Sequence, residues 1–565
     1  MTPRQPSAVS RRAALGGVAA ALAGAAPAHA QLKEMWRNLP KSLPGLPTQT
    51  PTPAPPPPPP AQTIKPGVQT IEPRGYSQQF QPVREMIGQG RYADAFGRFA
   101  PMSAPDQKDA ATTTSRPSGG ARGAPPAPAA TASATPPGRL PSDPYLSRVE
   151  LGLIAFESGD PETAITHLKQ AEDTENERRD AHGAKAVAGK AGDWLRVGMG
   201  KVSGQNEIAP YHPLDHERVL QLNYLSLAYL LQGDRRCYNI TRRCIAEQGD
   251  LKVKFEKELA DYKAKYAEQT TDTSKVTEGD RKAFDELSSQ FKAYDAQAAR
   301  VPNAYVNPLG DYLAGVIQEI ASREQPALRD NSRIGYQNAL KLCGRSAQLS
   351  AAAQAMARPR VPANERVLHV IVGEGFSPQR EVMSFGLTLR QQVVPVRVPI
   401  FKPVGTPIQR IAVLGQNGAT LGALDPIGDF EAIRLRDQQD RTPQIMLGVF
   451  TDSLASYFTG QALKKAGGIG ELIHGLRDAT ASPDTRSWLS LPRRFHVARL
   501  VVPASVRSVQ IAAFDAAGGR VAAAPTPLSP TETQSILYAR VTPGAVRVQT
   551  ARRLWIDGQL EEDKA

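Results

Sequence analysis

Residues 145–171 read YLSRVELGLIAFESGDPETAITHLKQA, and the order of small and apolar side chains in this stretch decides the architecture of the first half of the chain. Leu151 and Gly152 leave room for a close helix neighbour, Gly159-Asp160 makes a turn, and Ala164, Leu168 and Ala171 recur on one face of a second helix. A hairpin of this kind cannot bury its own apolar stripe and must stack on others. The chain therefore reads as a docking scaffold rather than an enzyme.

The pattern recurs on both sides. Gly90-Arg91-Tyr92-Ala93-Asp94-Ala95 and Phe99 repeat the turn and second helix, which predicts a short, isolated hairpin over 76–100. Downstream, Leu222, Leu225 and Tyr229 lead to Gly233-Asp234 and a long second helix, although Tyr238 and Arg242 stand where small and apolar residues are expected. A fourth unit begins at Asn307-Pro308, with Tyr312, Ala314, Gly315 and Ile317, then Ile334, Tyr336, Ala339 and Leu340; residues around Pro326 lengthen its turn. The period is that of a tetratricopeptide (TPR) repeat, so a TPR-like superhelix is expected over 142–345. Between the third and fourth units, Leu251, Phe255, Leu259, Tyr262 and Tyr266, answered by Phe284, Leu287, Phe291 and Tyr294, predict a coiled-coil hairpin over about 250–300 with nearly balanced charge.

After Pro362 the period changes. Val367–Val372, Val393–Ile400, Ile408–Leu414, Arg494–Val502 and Val506–Ala513 are short, rich in β-branched residues and bounded by Gly, Pro or Asp. Asn417-Gly418 is a two-residue hairpin signal. One amphipathic helix is expected at about 442–465, through Ile445, Val449, Leu454, Tyr457, Phe458 and Ala462. The expected fold class is thus α+β and multidomain: a TPR-like α-helical superhelix, then a mainly-β, sandwich-like domain over 363–551, with a charged tail at 552–565.

The 49 prolines and 46 glycines of the 565-residue chain point to disordered linkers around two folded bodies. A Pro-rich tether is expected over 31–75 and a Pro/Ala/Ser/Thr linker over 101–141. Arg4, Arg11 and Arg12, the weakly apolar run AALGGVAAALAGAA and Ala28-His29-Ala30 read as a cleavable signal peptide over 1–30, which places the mature protein, from Gln31, in the periplasm or outside the cell. Ser10-Arg11-Arg12 resembles a twin-arginine export signal; Ala14 and Gly16 stand where that signal has Phe and Lys, and the general secretory route also fits. No Cys near the cleavage site encodes a lipid anchor, and no later run has the ~20 apolar residues of a membrane span.

A net charge of +13 suits an anionic partner, and export makes nucleic acid the least suitable. Cys237, Cys244 and Cys343 read equally as a disulfide involving Cys343 or as three small buried hydrophobes. No local nucleophile motif such as Gly-x-Ser-x-Gly occurs, and no catalytic, cofactor-binding or metal site is expected. His212 and His216 have metal-like spacing, but Pro213 breaks their common helix face. Gly415-Gln416-Asn417-Gly418 lacks the Lys and Ser/Thr of a phosphate loop.

Asp484, Arg486 and Trp488 are the candidate partner-binding residues, since an acid, a guanidinium and an indole in one short stretch can form a recognition patch. The other reading pairs Asp484 with Arg486 to fix a loop and buries Trp488 at a sheet edge. Asn307-Pro308 with Tyr312-Leu313-Ala314-Gly315, the run Ser332–Leu340, Gly373–Pro378 and above all Asp484-Thr485-Arg486-Ser487-Trp488 with Leu491-Pro492 and Val497-Ala498-Arg499 resemble an uncharacterised bacterial cell-envelope family that joins a TPR-like half to a β domain. The resemblance spans about 210–525. It implies a secreted or lipid-anchored envelope protein without an assigned activity, some relatives being encoded near an outer-membrane activator of cell-wall synthases. The expected function is non-catalytic: an exported adaptor that binds an envelope protein or peptide, or alternatively an arginine-rich β domain that binds an anionic cell-wall or surface polysaccharide.

Overall fold

In the computed structural model the residues described are 67–102, 143–185, 210–271, 288–359, 361–389, 392–442 and 483–551, with single positions 282, 285 and 445. Residues 1–30, expected as a signal peptide, most of the Pro-rich stretches, the middle of the hairpin arm expected at about 250–300, nearly all of the helix expected at 442–465 and the tail 552–565 lie outside them.

The helices that organise the described residues include α1 (Gly75–Gln79), α2 (Gln81–Gly88), α3 (Tyr92–Met102), α4 (Pro144–Ser158), α5 (Pro161–Lys185), α6 (Asp215–Gln232), α7 (Arg236–Thr271), α8 (Pro308–Ala321), α9 (Leu328–Cys343), α10 (Ala347–Ala357) and α11 (430–442). Local chemistry fixes their ends. Asp143 caps α4 by accepting the Tyr145 N–H at 2.9 Å, Pro144 occupies the first turn, and Gly159 closes the helix at φ 91°. Asn307 caps α8 in the same way, through the Leu309 N–H at 2.9 Å.

Small residues set the helix spacing. A Cβ on Gly152 would lie 2.8 Å from Leu168, and one on Gly315 would lie 2.7 Å from the Tyr336 ring, so α4–α5 and α8–α9 meet at distances that only glycine permits. The α2–α3 hairpin is not isolated, contrary to expectation: Phe80, Val83, Ile87, Ala95 and Phe99 join the core that contains α4, α6 and α8. The first leg of the arm is also not a separate insertion, because α7 runs unbroken from Arg236 to Thr271.

Thirteen strands make three sheets among the described residues. The smallest has the order β1-β3-β4, from β1 (Gly67–Glu72), β3 (Arg380–Leu389) and β4 (Gln392–Phe401). The second runs β10-β9-β5-β6, from β10 (Arg520–Ala522), β9 (Ser508–Asp515), β5 (Ile408–Leu414) and β6 (Thr420–Ala423), with β11 (Thr526–Pro527) also on β9. The third runs β13-β12-β2-β8-β7, from β13 (Val546–Thr550), β12 (Gln534–Val541), β2 (Glu365–Glu374), β8 (Arg494–Pro503) and β7 (Asp425–Asp429). The β12–β2 pairing is parallel and the β2–β8 pairing antiparallel.

The third sheet is the middle layer. Leu368, Val370, Ala498, Leu537 and Ala539 share a core with Ile411, Val413, Val509 and Ile511 of the second sheet. From its other face Ile371, Phe495, Val497, Ile536 and Tyr538 enter the helical core. A strand buried on both faces cannot alternate apolar with polar, and β12 is buried along its whole length. The expected boundary between two folded bodies is therefore replaced by a common core, and the described residues fall in one compact unit. The chain is α+β. The expected linker 31–75 ends early as well, since Gly67–Glu72 pairs antiparallel with β3. A helix that the sequence reading did not anticipate spans 430–442, just before the stretch where the apolar pattern suggested one.

Candidate functional site

The segment 484–493 has almost no regular secondary structure, yet it is buried nearly throughout and runs between the helices and the middle sheet. A buried chain without a ladder must find partners for each backbone group. Glutamates from two helices supply the acceptors. Glu150 of α4 accepts the Leu489 N–H at 2.6 Å, the Ser490 N–H at 3.1 Å and the Ser490 hydroxyl. Glu217 of α6 accepts the Trp488 N–H at 2.9 Å, the Tyr211 hydroxyl and the Leu214 N–H at 3.2 Å.

Arginines supply the donors. Arg434 of α11, fully buried, donates to the Trp488 carbonyl at 2.9 Å, to Glu217 at 2.9 Å, to the Pro378 carbonyl and to the His216 ring at 3.3 Å. Arg540 of β12 donates to the Ser490 carbonyl at 3.0 Å, to Gly375 at 2.7 Å and to Glu157 of α4 at 2.7 Å. Carboxylates thus hold the N–H groups of the segment and guanidiniums hold its carbonyls.

Two further clusters tie the layers. Glu319 of α8 takes a forked ion pair from Arg499 of β8, at 2.6–3.0 Å, and the Tyr336 hydroxyl at 2.7 Å; His369 of β2 lies 3.9 Å away. Arg493 bridges Glu431 at 2.8 Å and Glu374 at 3.4 Å, while Arg300, at the base of the arm, reaches Glu431 at 2.7 Å.

Protonation follows the partners. Burial pushes the Glu150 carboxyl up to about 8, against the pull of Ser490 and the two backbone N–H groups. At Glu319 burial also acts upward, but His369 and Arg499 outweigh it and hold the carboxyl below its usual range. Burial drives the His369 imidazole down to about 4, with Glu319 opposing and Arg499 assisting. His216 is likewise held well below its usual range, by burial and then by Arg434. At Glu431 the hydrogen bonds from Arg493 and Arg300 overcome burial and bring the carboxyl to about 2.

The candidate residues Asp484, Arg486 and Trp488 do not form a surface recognition patch. Trp488 is fully buried, its indole N–H donating to Ser490 at 3.0 Å, and it lies against Tyr224 of α6 rather than at a sheet edge. Arg486 is 2 % exposed and closes on Asp484 at 2.7 Å, next to Tyr211. Arg486 and Trp488 are thus turned inward, and of the three only Asp484 keeps a partly exposed side chain. His216 is buried beside Arg434, whereas His212 is exposed, so the pair shares no site. Among the described residues no three His, Cys, Asp or Glu are grouped to hold a metal ion. Cys237, Cys244 and Cys343 are free thiols, the first two buried, and burial raises the pKa of each and so disfavours the thiolate.

Glu150, Glu157, Glu319, Arg434 and Arg540 were not singled out from the sequence, and Arg499 stood out only as part of the Val497-Ala498-Arg499 run. One signal was present: Glu150 and Glu157 stand seven apart in a helix otherwise apolar almost all round, where an unpartnered charge would be too costly to bury. Set beside known proteins, the chain matches no family model, no curated protein and no solved structure.

Proposed function

We propose that the protein is a non-catalytic adaptor of the bacterial cell envelope, exported by its N-terminal signal, in which a TPR-like helical array presents a docking surface to another envelope protein or peptide. One observation carries this reading. The seam-facing charges of α4, α6 and α8 are spent on the chain's own β half, and the sandwich-like sheets fill the side that such arrays commonly offer to ligands. The surface left to a partner is the outward one, made by α5, α7 and α9. There Val253 on α7 is 69 % exposed and Ile334 on α9 is 47 % exposed, apolar side chains that a docked partner would cover.

The polysaccharide reading has less support. Arg366, Arg434, Arg486, Arg493 and Arg540 of the β half are buried, so they are withdrawn from any polyanion.

Crosslinked pull-down from intact cells with the tagged full chain, beside the Val253→Glu, Ile334→Glu double variant, tests the proposal. A defined envelope protein recovered with the wild type and lost with the variant, at unchanged melting temperature, is the expected result. Recovery indifferent to both substitutions overturns the outward surface. Binding to purified anionic glycan that collapses with added salt would replace the adaptor reading with the alternative.

A further inference from the structure

The β1-β3-β4 sheet has two unlike edges. On β4, Phe401 turns its N–H away from β3 and gives it to Gln438. Backbone direction alternates along a strand, so Pro395 and Pro399 occupy outward-facing positions of the same set and remove their donors. This edge cannot accept a further strand. On β3, the same alternation turns Val382, Ser384 and Gly386 toward the opposite edge, where they meet Glu72, Thr70 and Gly67 of β1. No proline interrupts β3.

β1 is a light occupant of that edge. Its register slips between Val68 and Thr70, Thr70 is exposed, and Ile71 and Glu72 are only half-buried. Gly67 at φ 87° and Gly75 at φ 55° turn the chain at both sides of the strand. Firm anchoring begins only after it, where the Arg74 carbonyl accepts the Thr485 hydroxyl at 2.7 Å and Tyr76 enters the core. The contacts that fix α1 and the seam at Thr485 thus lie outside the strand.

We propose that the outer edge of β3 is a strand-docking site, with β1 as its resident occupant, and that an extended segment of a partner protein takes its place by antiparallel pairing. Recognition runs through the backbone, so the partner segment is extended and free of proline where its N–H groups face Val382, Ser384 and Gly386. That the partner is a protein rests on the adaptor reading; the chemistry of the edge does not. The resident strand competes from an effective concentration in the millimolar range, so an added strand gains most when β1 is withdrawn.

The probe is a fluorescent synthetic peptide of residues 64–74, with a control N-methylated at Thr70. Anisotropy with the full-length Thr70→Pro protein should give at least about tenfold tighter binding than with wild type, and the N-methylated peptide should not bind. Absence of binding to a Thr70→Pro protein that retains its melting temperature, or equal binding of the methylated control, overturns the site. Should that variant fail to fold, hydrogen exchange on the wild type decides. Amides 382, 384 and 386 should exchange at least about tenfold faster than 383 and 385, which face β4, and equal rates refute a displaceable β1. Neither experiment touches Val253 or Ile334, so failure here leaves the test of the outward surface intact.

Discussion

Glu150 and Glu319 both project from a helix into the β half, both are buried, and yet they are held in opposite states. Glu150 meets three hydrogen-bond donors on Leu489 and Ser490 and makes no direct ion pair; its carboxyl is pushed up to about 8. Glu319 meets the fork of Arg499 and the hydroxyl of Tyr336, and its carboxyl is held low. Burial is common to the two, and the difference lies in the charges beside them: Glu217 adds to the rise at Glu150, whereas His369 and Arg499 draw Glu319 down. Neutral donors do not offset the desolvation of a carboxylate, whereas a bidentate guanidinium does.

The strongest test converts one site into the other. Arg499→Met leaves Glu319 buried without its cation, and urea unfolding at pH 8 should show a loss of about 3–5 kcal/mol. The loss should shrink as the pH is lowered and Glu319 takes up a proton. An equal loss at pH 5 and pH 8 would mean that Arg499 acts by packing alone.

Glu150→Gln is the next in size. Because the folded carboxyl lies at about 8 and the ordinary value is 4.5, the folded state holds the extra proton between these limits. Its contribution is complete below about pH 4.5 and lost as the pH rises through about 8. The variant lacks this slope. At pH 5 it should be about 1 kcal/mol less stable than wild type, since its amide confronts the Ser490 N–H, and as the pH rises toward 9 the gap should close and reverse sign, because only the wild type loses stability through the deprotonation. Parallel melting-temperature curves across pH 5–9 would contradict the assignment.

The smallest effect is expected at His369. Neither ring nitrogen has a hydrogen-bond partner among the described residues, and the folded value near 4 lies below the ordinary 6.5. The folded state therefore binds fewer protons, and the stability due to the neutral ring is present above about 6.5 and lost as the pH falls through about 4. His369→Leu should change stability at pH 7 by no more than about 1 kcal/mol while flattening the acid limb. An unchanged acid limb would assign that limb to other groups.

The sequence disclosed what repeats and concealed what interlocks. Gly152, Gly159 and Gly315 announce a helix hairpin because each answers a steric demand within one or two neighbouring helices. Val367–Val372 and Ile408–Leu414 read as strands from local composition. By contrast, β12 and β3 were missed, the first because burial on both faces leaves no alternation to detect. β1 hid behind a proline run, and its partner stands more than 300 residues away. Asp484, Arg486 and Trp488 stood out as a motif, but composition alone cannot say whether such a trio faces solvent or fills a seam. Glu150 is bonded to Leu489 across 339 positions of the chain, a distance at which no local pattern has force.

The position of β12 has a consequence for the order of events during synthesis. It is one of the last strands of the chain, yet it pairs with β2 near the centre of the middle layer and carries Tyr538 and Arg540 onto α4. Some 380 residues separate the end of α4 from the end of β12. At about 5–20 residues per second, α4 must wait roughly 20–80 s for the strand that covers Glu157. Through that interval α4 carries Glu157 without the tyrosine and arginine that cover it, which disfavours early consolidation of the helical half around this helix.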